Sequence, residues 1–137
     1  MQIHGGEIAG KLMPPRVIDS NILIYHLAED PAVTAALAEW MLGGERLFIS
    51  AITRIEVLAT PVMVPEEELR ILHLLDRFLL IPVDARIADI AARIRRDHRL
   101  TLGDSIIAAT AVLTDAVLVT RNIRDFKKVL SLPLVSL

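Results

Sequence analysis

Cysteine is absent from this sequence. That excludes disulfide bridges and thiolate metal sites, and a reducing compartment such as the cytoplasm suits the chain. Aromatic residues make up only 4%. The core must therefore come from Leu, Ile, Val and Ala, and stacking of bases on aromatic platforms is a poor candidate for a main binding mode. No apolar run approaches the ~18 residues that a membrane span needs, because charges interrupt each one. A basic excess is also missing. The net charge of −2 argues against a protein that only coats nucleic acid, yet it leaves room for an enzyme whose acidic cluster is neutralised by a metal. There is no internal repeat and no low-complexity tract. The opening MQIHGGEIAGKLMPP lacks a charged segment followed by an apolar one, so no signal peptide is expected. Residues 1–15 read as a flexible leader ahead of one domain over 16–137.

What is present is an apolar excess, 53% hydrophobic residues with a mean hydropathy of +0.51. It predicts strands buried on both faces, or a surface covered by a partner. Strands are expected at 16–19, 47–50, 79–83 and 116–120, with a short fifth in LPLVSL at the end. Helices are expected between them. Asp30-Pro31 reads as an N-cap with Pro at the first helical position, and Gly43-Gly44 as its stop. Pro65 followed by three Glu opens another helix, with Leu69, Leu72, Leu75 and Leu79 as its buried face. Asp84 caps a helix whose inner face is Ile87, Ile90, Ala91 and Ile94. SIIAATAVL at 105–113 is apolar almost all round, which predicts a central helix. Short apolar strands alternating with helices indicate an α/β domain with a parallel sheet of four to five strands.

In such folds the strand C-termini share one edge, and ligands bind there. Asp19 follows the first strand, Glu56 lies one turn into the helix after the second, Asp104 opens the apolar helix, and Asp125 follows the fourth strand. Each has a structural reading of its own. Asp19 and Asp104 stand where N-caps stand, Thr53-x-x-Glu56 has capping-box spacing, and Asp125 could be a solvated turn residue. As a set they would repel one another on one edge. A hard divalent cation such as Mg²⁺ removes that conflict, since it takes oxygen ligands. His26, His73 and His98 show no paired ligand spacing, which points away from zinc.

Four stretches in order carry a resemblance: VIDSNILIYHL, ISAITRIEVLA, LTLGDSIIAATAV and AVLVTRNIRDF. The chain resembles PIN domains over residues 16–137, and most closely the VapC-type toxin ribonucleases of bacterial and archaeal toxin–antitoxin pairs. The resemblance implies a three-layer α/β/α fold and a Mg²⁺- or Mn²⁺-dependent endoribonuclease. Asp19, Glu56 and Asp104 match the main acidic residues as catalytic groups and metal ligands. Many members carry an acidic residue where this chain has Asn122, and Asp125 is the nearest carboxylate to complete the set. Asn21, Thr120 and Asn122 match supporting polar positions. Gly103 lets the backbone turn tightly into its helix. The resemblance also implies RNA as substrate, an antitoxin whose C-terminal segment wraps the toxin, and a homodimer.

Arg93, Arg95, Arg96, His98 and Arg99 precede the Asp104 helix, and Arg121, Arg124, Lys127 and Lys128 surround Asp125. Arg121, Arg124, Arg96 and Arg99 are the expected phosphate contacts, giving a positive rim around an acidic centre. Such runs also serve as ordinary solvated faces. Three other readings compete. One is a stand-alone PIN nuclease of RNA processing. The second is a PIN scaffold that binds RNA or protein without cutting, which Asn122 favours and the three main carboxylates oppose. The third is a phosphoacceptor receiver domain, which needs an acidic pair near its first strand and a late Lys. This chain has one Asp there and Arg121 after Thr120.

Overall fold

The computed structural model describes residues 13–137. The leader expected over 1–15 therefore lies, up to residue 12, outside the described residues. The strands β1 (Arg16–Ile18), β2 (Leu47–Ser50), β3 (Leu79–Ile81), β4 (Val117–Val119) and β5 (Leu134–Val135) form one sheet in the order β3-β2-β1-β4-β5. Every neighbouring pair is parallel. Parallel pairs need crossover connections, which explains the alternation with helices. The helices are α1 (Ser20–Leu27), α2 (Pro31–Leu42), α3 (Ala51–Leu58), α4 (Pro65–Leu75), α5 (Ala85–His98), α6 (Leu102–Thr114) and the single turn α7 (Ile123–Phe126).

Successive strand side chains point to opposite faces, and here both faces are apolar. Val17 and Leu118 join a cluster with Ile87, Ala91 and Ile94 of α5 and Ile107, Ala108 and Ala111 of α6. Ile18, Ile49 and Val119 join a second cluster with residues of α1, α2, α3 and α4, among them Ile22, Leu37, Val57 and Leu75. The result is a three-layer α/β/α arrangement. Each fully buried Leu, Ile or Val contributes roughly 1.5–3 kcal/mol, so three-residue strands suffice when both faces are covered.

Capping follows the sequence in part. Asp30 accepts from the backbone N–H groups of Ala32 (3.1 Å) and Val33 (3.2 Å), and Asp84 accepts from Ile87 N–H at 3.0 Å. The α4 face differs from expectation. Ile71, Leu74 and Leu75 are its buried residues, while Leu69 is 54% exposed and Leu79 59% exposed. Leu79 begins the edge strand β3, which pairs with β2 alone, so its outer face has no layer to cover it.

Sheet order reverses at β1: β2 and β3 extend to one side, β4 and β5 to the other. The crevice beyond the carboxyl ends of β1 and β4 is a topological switch point, where open α/β sheets hold ligands. Asp19 follows β1 and Thr120 follows β4.

Candidate active site

Asp19 and Thr120 meet at this switch point. Thr120 Oγ1 donates to Asp19 Oδ2 at 2.7 Å across 101 residues of chain. Asp19 is 3% exposed. It occupies the N-cap position of α1, but its side chain makes no capping hydrogen bond. The structural reading of Asp19 as a helix cap therefore fails. Burial pushes its carboxyl up to about 6; the Thr120 hydroxyl opposes this, and the charges of Asp104 and Glu56 add to it. Those charges act on Asp19 because the topology returns all three groups to one edge.

Glu56 is no capping-box residue either. Ser50 is the N-cap of α3, with its hydroxyl accepting from Ile52 N–H at 3.2 Å, and Thr53 is fully buried inside the helix. The Glu56 carboxylate instead accepts from Ser20 Oγ at 2.7 Å, and Ser20 Oγ also lies 3.1 Å from Thr53 Oγ1. Its other oxygen faces α6. A Cβ at Gly103 would sit 3.1 Å from Glu56 Oε2. Gly103 is thus required by the close approach of a carboxylate, not by a tight turn, since its φ lies outside the left-handed region.

Asp104 stands in the first turn of α6 but does not cap it. Thr101 is the cap, its hydroxyl accepting from Asp104 N–H at 3.2 Å. Burial raises the Asp104 carboxyl above the usual range, the Thr101 hydroxyl opposes that, and the charges of Glu56 and Asp125 raise it further. Asn122 Nδ2 lies between the last two carboxylates, 3.4 Å from Asp104 Oδ2 and 3.2 Å from Asp125 Oδ2. Its backbone N–H donates to Thr120 Oγ1 at 2.9 Å. Asp125, on α7, also pairs with Lys128 at 3.6 Å. One connected network therefore runs Asp19–Thr120–Asn122–Asp104 and Asp125, with Glu56 joined to α1 through Ser20. Asn21 is exposed in the first turn of α1 and is not a member of that network.

A model of the PIN domain matches residues 16–130. The chain belongs to the PIN-domain family. This PIN domain is 38% identical over 117 residues to Ribonuclease VapC19 of Mycobacterium tuberculosis, covering 81% of this chain and 91% of that protein. It is 34% identical over 118 residues to Ribonuclease VapC10 of the same organism, with 80% and 84% covered. Among solved structures it is similar to the toxin–antitoxin complex from Klebsiella pneumoniae, with a TM-score of 0.75 and 32% identity over 88% of this chain and 95% of that one.

The expected cations are arranged unequally around the PIN-domain edge. Arg124 is exposed on α7, Arg99 is exposed at the end of α5, and Arg96 is held by Asp97 at 3.3 Å. Arg121 turns elsewhere: its guanidinium makes two bonds to Asp30, at 2.7 and 3.2 Å, which occupy the fork expected to meet phosphate.

Among the described residues no three carboxylate or histidine side chains converge closely enough to form a ready metal cage. The donor set still fits a hard divalent cation. It is all oxygen, its members raise one another's proton affinity, and Mg²⁺ is commonly held by one or two carboxylates, water and substrate phosphate. Ser20 is the residue that sequence reasoning left without a role. Its signal was its place directly after Asp19, where a short hydroxyl on the first turn of α1 reaches the neighbouring helix.

Proposed function

We propose that this PIN domain is a Mg²⁺- or Mn²⁺-dependent endoribonuclease, the toxin of a VapBC-type toxin–antitoxin pair. The observation that carries the reading is the uncompensated acidity at the switch point. Asp19 is buried with a hydroxyl for a partner and two like charges near it. A fold whose only task was stability would gain from an apolar or paired residue there. The curated relatives are ribonucleases by name, which agrees with that chemistry.

Asp19, Asp104, Glu56 and Asp125 are the residues that would hold the metal. A bound divalent cation would supply charge neutralisation at the phosphodiester and an acidified water. The protein's own part is orientation: Ser20 holds Glu56, Thr120 holds Asp19, and Asn122 spaces Asp104 from Asp125. Arg124, Arg96 and Arg99 give RNA phosphates a rim to follow. Leu37, Ala38, Met41, Leu42 and Leu74 line a groove of about 330 Å³ between α2 and α4, with His26, Thr34 and Arg77 as its polar members, a mainly apolar seat suited to an antitoxin helix. A homodimer in the cytoplasm completes the reading.

The non-cutting scaffold has one observation in its favour. Asn122 places an amide between Asp104 and Asp125, where many PIN domains bring another acid. Cleavage of structured RNA separates the two. Purified chain is incubated with Mg²⁺ or Mn²⁺, with EDTA, and as the Asp104→Asn variant. Metal-dependent cutting that the variant loses supports the nuclease. No cutting of tRNA, ribosomal or messenger RNA by folded, antitoxin-free protein leaves the scaffold.

A further inference from the structure

Arg121 sits in sequence between the two residues that hold the carboxylates, Thr120 and Asn122, yet its own side chain points at a different part of the fold. Its guanidinium lies bidentate on Asp30, 4.5 Å over the ring of Tyr25, while Nε donates to the main-chain oxygen of Leu137 at 2.9 Å. Asp30 is itself fixed, as the N-cap of α2. Tyr25 belongs to α1, the helix that begins directly after Asp19. Three residues from two distant segments, 25–30 and the chain's last residue, therefore converge on one side chain. The flat guanidinium suits this use, since it can fork onto a carboxylate and stack on a ring at once.

We propose that Arg121 is a positioning residue, a strut from the α1–α2 corner that fixes the 120–122 turn and through it the geometry of Asp19, Asp104 and Asp125. The proposal rests on the nuclease reading for its kinetic part only. Besides the side-chain bonds of Thr120 to Asp19 and of Asn122 to Asp104 and Asp125, the turn is held by two main-chain N–H bonds. Thr120 N–H donates to Val135 O at 3.0 Å, on the two-residue edge strand β5, and Asn122 N–H donates back to Thr120 Oγ1. Without the strut, Thr120 keeps its strand bond, but Asn122 and the start of α7 are held against Asp104 by a long 3.4 Å bond and can shift. Misplacement by about 1 Å at such a site costs on the order of a hundredfold in rate.

The test uses four variants of the full chain: Arg121→Ala, Arg121→Lys, Asp30→Asn and the Arg121→Ala/Asp30→Asn double variant. Asn still caps α2 but offers an amide to one arm of the guanidinium, so Asp30→Asn breaks the strut and spares the cap. Two readouts are taken. The first is RNA cleavage, with kcat and KM separated. Arg121→Ala and Asp30→Asn are each expected to lower kcat roughly ten- to a hundredfold with KM little changed. Arg121→Lys should fall between them and wild type, and the double variant should be no worse than Arg121→Ala. The second readout is amide hydrogen exchange, which needs neither metal nor RNA. Protection at Asn122 should drop in Arg121→Ala and Asp30→Asn while Val17 and Leu118 keep theirs.

A rise in KM with kcat intact, steeper with salt and absent from Asp30→Asn, would make Arg121 a phosphate contact and overturn the strut. Unchanged exchange at Asn122 would overturn it as well. Loss of protection throughout the sheet would reduce Arg121 to a general stability residue. If wild type cuts no RNA, the nuclease reading fails and exchange at Asn122 alone decides the strut.

Discussion

β1 is three residues long and carries a buried charge at each end. Arg16, at its start, is 7% exposed; Asp19, just past its end, is 3% exposed. The two charges are treated in opposite ways. Arg16 Nη1 lies 2.6 Å from Glu45 Oε1, close though not aligned as a hydrogen bond, and the guanidinium is 4.4 Å over the ring of Trp40. A cation is thus matched by an anion and an aromatic face. Asp19 has one hydroxyl, with further negative charge nearby. The matched charge belongs to the architecture. The unmatched one is the charge on which the proposed metal site rests, and the difference can be tested from both ends.

The largest effect is expected at the acidic end. Asp104→Asn or Asp19→Asn should reduce RNA cleavage about a thousandfold, as for loss of a group that stabilises developing charge. Urea unfolding of the same variants should show no loss of stability. Asp19→Asn should instead gain stability at neutral pH, because it removes a buried charge with no cation beside it.

At the opposite end the signs reverse. Arg16→Ala leaves Glu45 half-buried and unpaired, and should cost about 3 kcal/mol in urea unfolding. Cleavage per folded molecule should stay near wild type. Should Arg16→Ala abolish cleavage in a folded protein, the contrast between the two ends of β1 would collapse.

The pH dependence sharpens the contrast further. The Asp19 carboxyl is raised from an ordinary 3.8 to about 6, mainly by burial. Between those values the folded chain binds more protons than the unfolded one. The contribution of Asp19 to stability is therefore complete below about pH 4 and is lost as pH rises through about 6, a swing on the order of 3 kcal/mol. Asp104 shifts in the same direction. Mn²⁺ should accordingly raise the melting temperature more at pH 7.5 than at pH 5, where protons already occupy the site. An equal shift at both pH values would place the cation elsewhere.

Much of this was legible in the chain, for reasons that differ residue by residue. Apolar strands with helices between them specified the parallel sheet, and the places of Asp19, Glu56, Asp104 and Asp125 between them pointed to one shared edge. Local patterns failed where long-range contacts decide. Thr53-x-x-Glu56 copies a capping box, but Ser50 starts the helix and Ser20, far away in sequence, takes Glu56. Arg16 reads as one more residue of a buried strand because Trp40 and Glu45 lie beyond an intervening helix. Arg121 reads as an RNA contact because its neighbours in sequence belong to the site, while Asp30, 91 residues away, holds its side chain. Leu69 and Leu79 complete a helical stripe on paper, but the fold places no layer over them.

The smallest expected effect isolates the site from the fold most cleanly. Gly103 lies in the first turn of α6, where alanine is the better helix former by up to about 1 kcal/mol. On stability alone, Gly103→Ala should be neutral or slightly favourable. Its new Cβ would stand 3.1 Å from Glu56 Oε2, closer than ordinary contact. The carboxylate is a flexible end and can swing away, so the protein need not strain. That swing pulls Glu56 from Ser20 and from its place beside Asp104. Cleavage should fall roughly tenfold, because Glu56 is shifted and not removed, while the melting temperature holds or rises. Ser20→Ala releases Glu56 from the other side and should give a loss of similar size. If Gly103→Ala cuts RNA as wild type does, then Glu56 has no fixed position to lose, and the network around it serves packing alone.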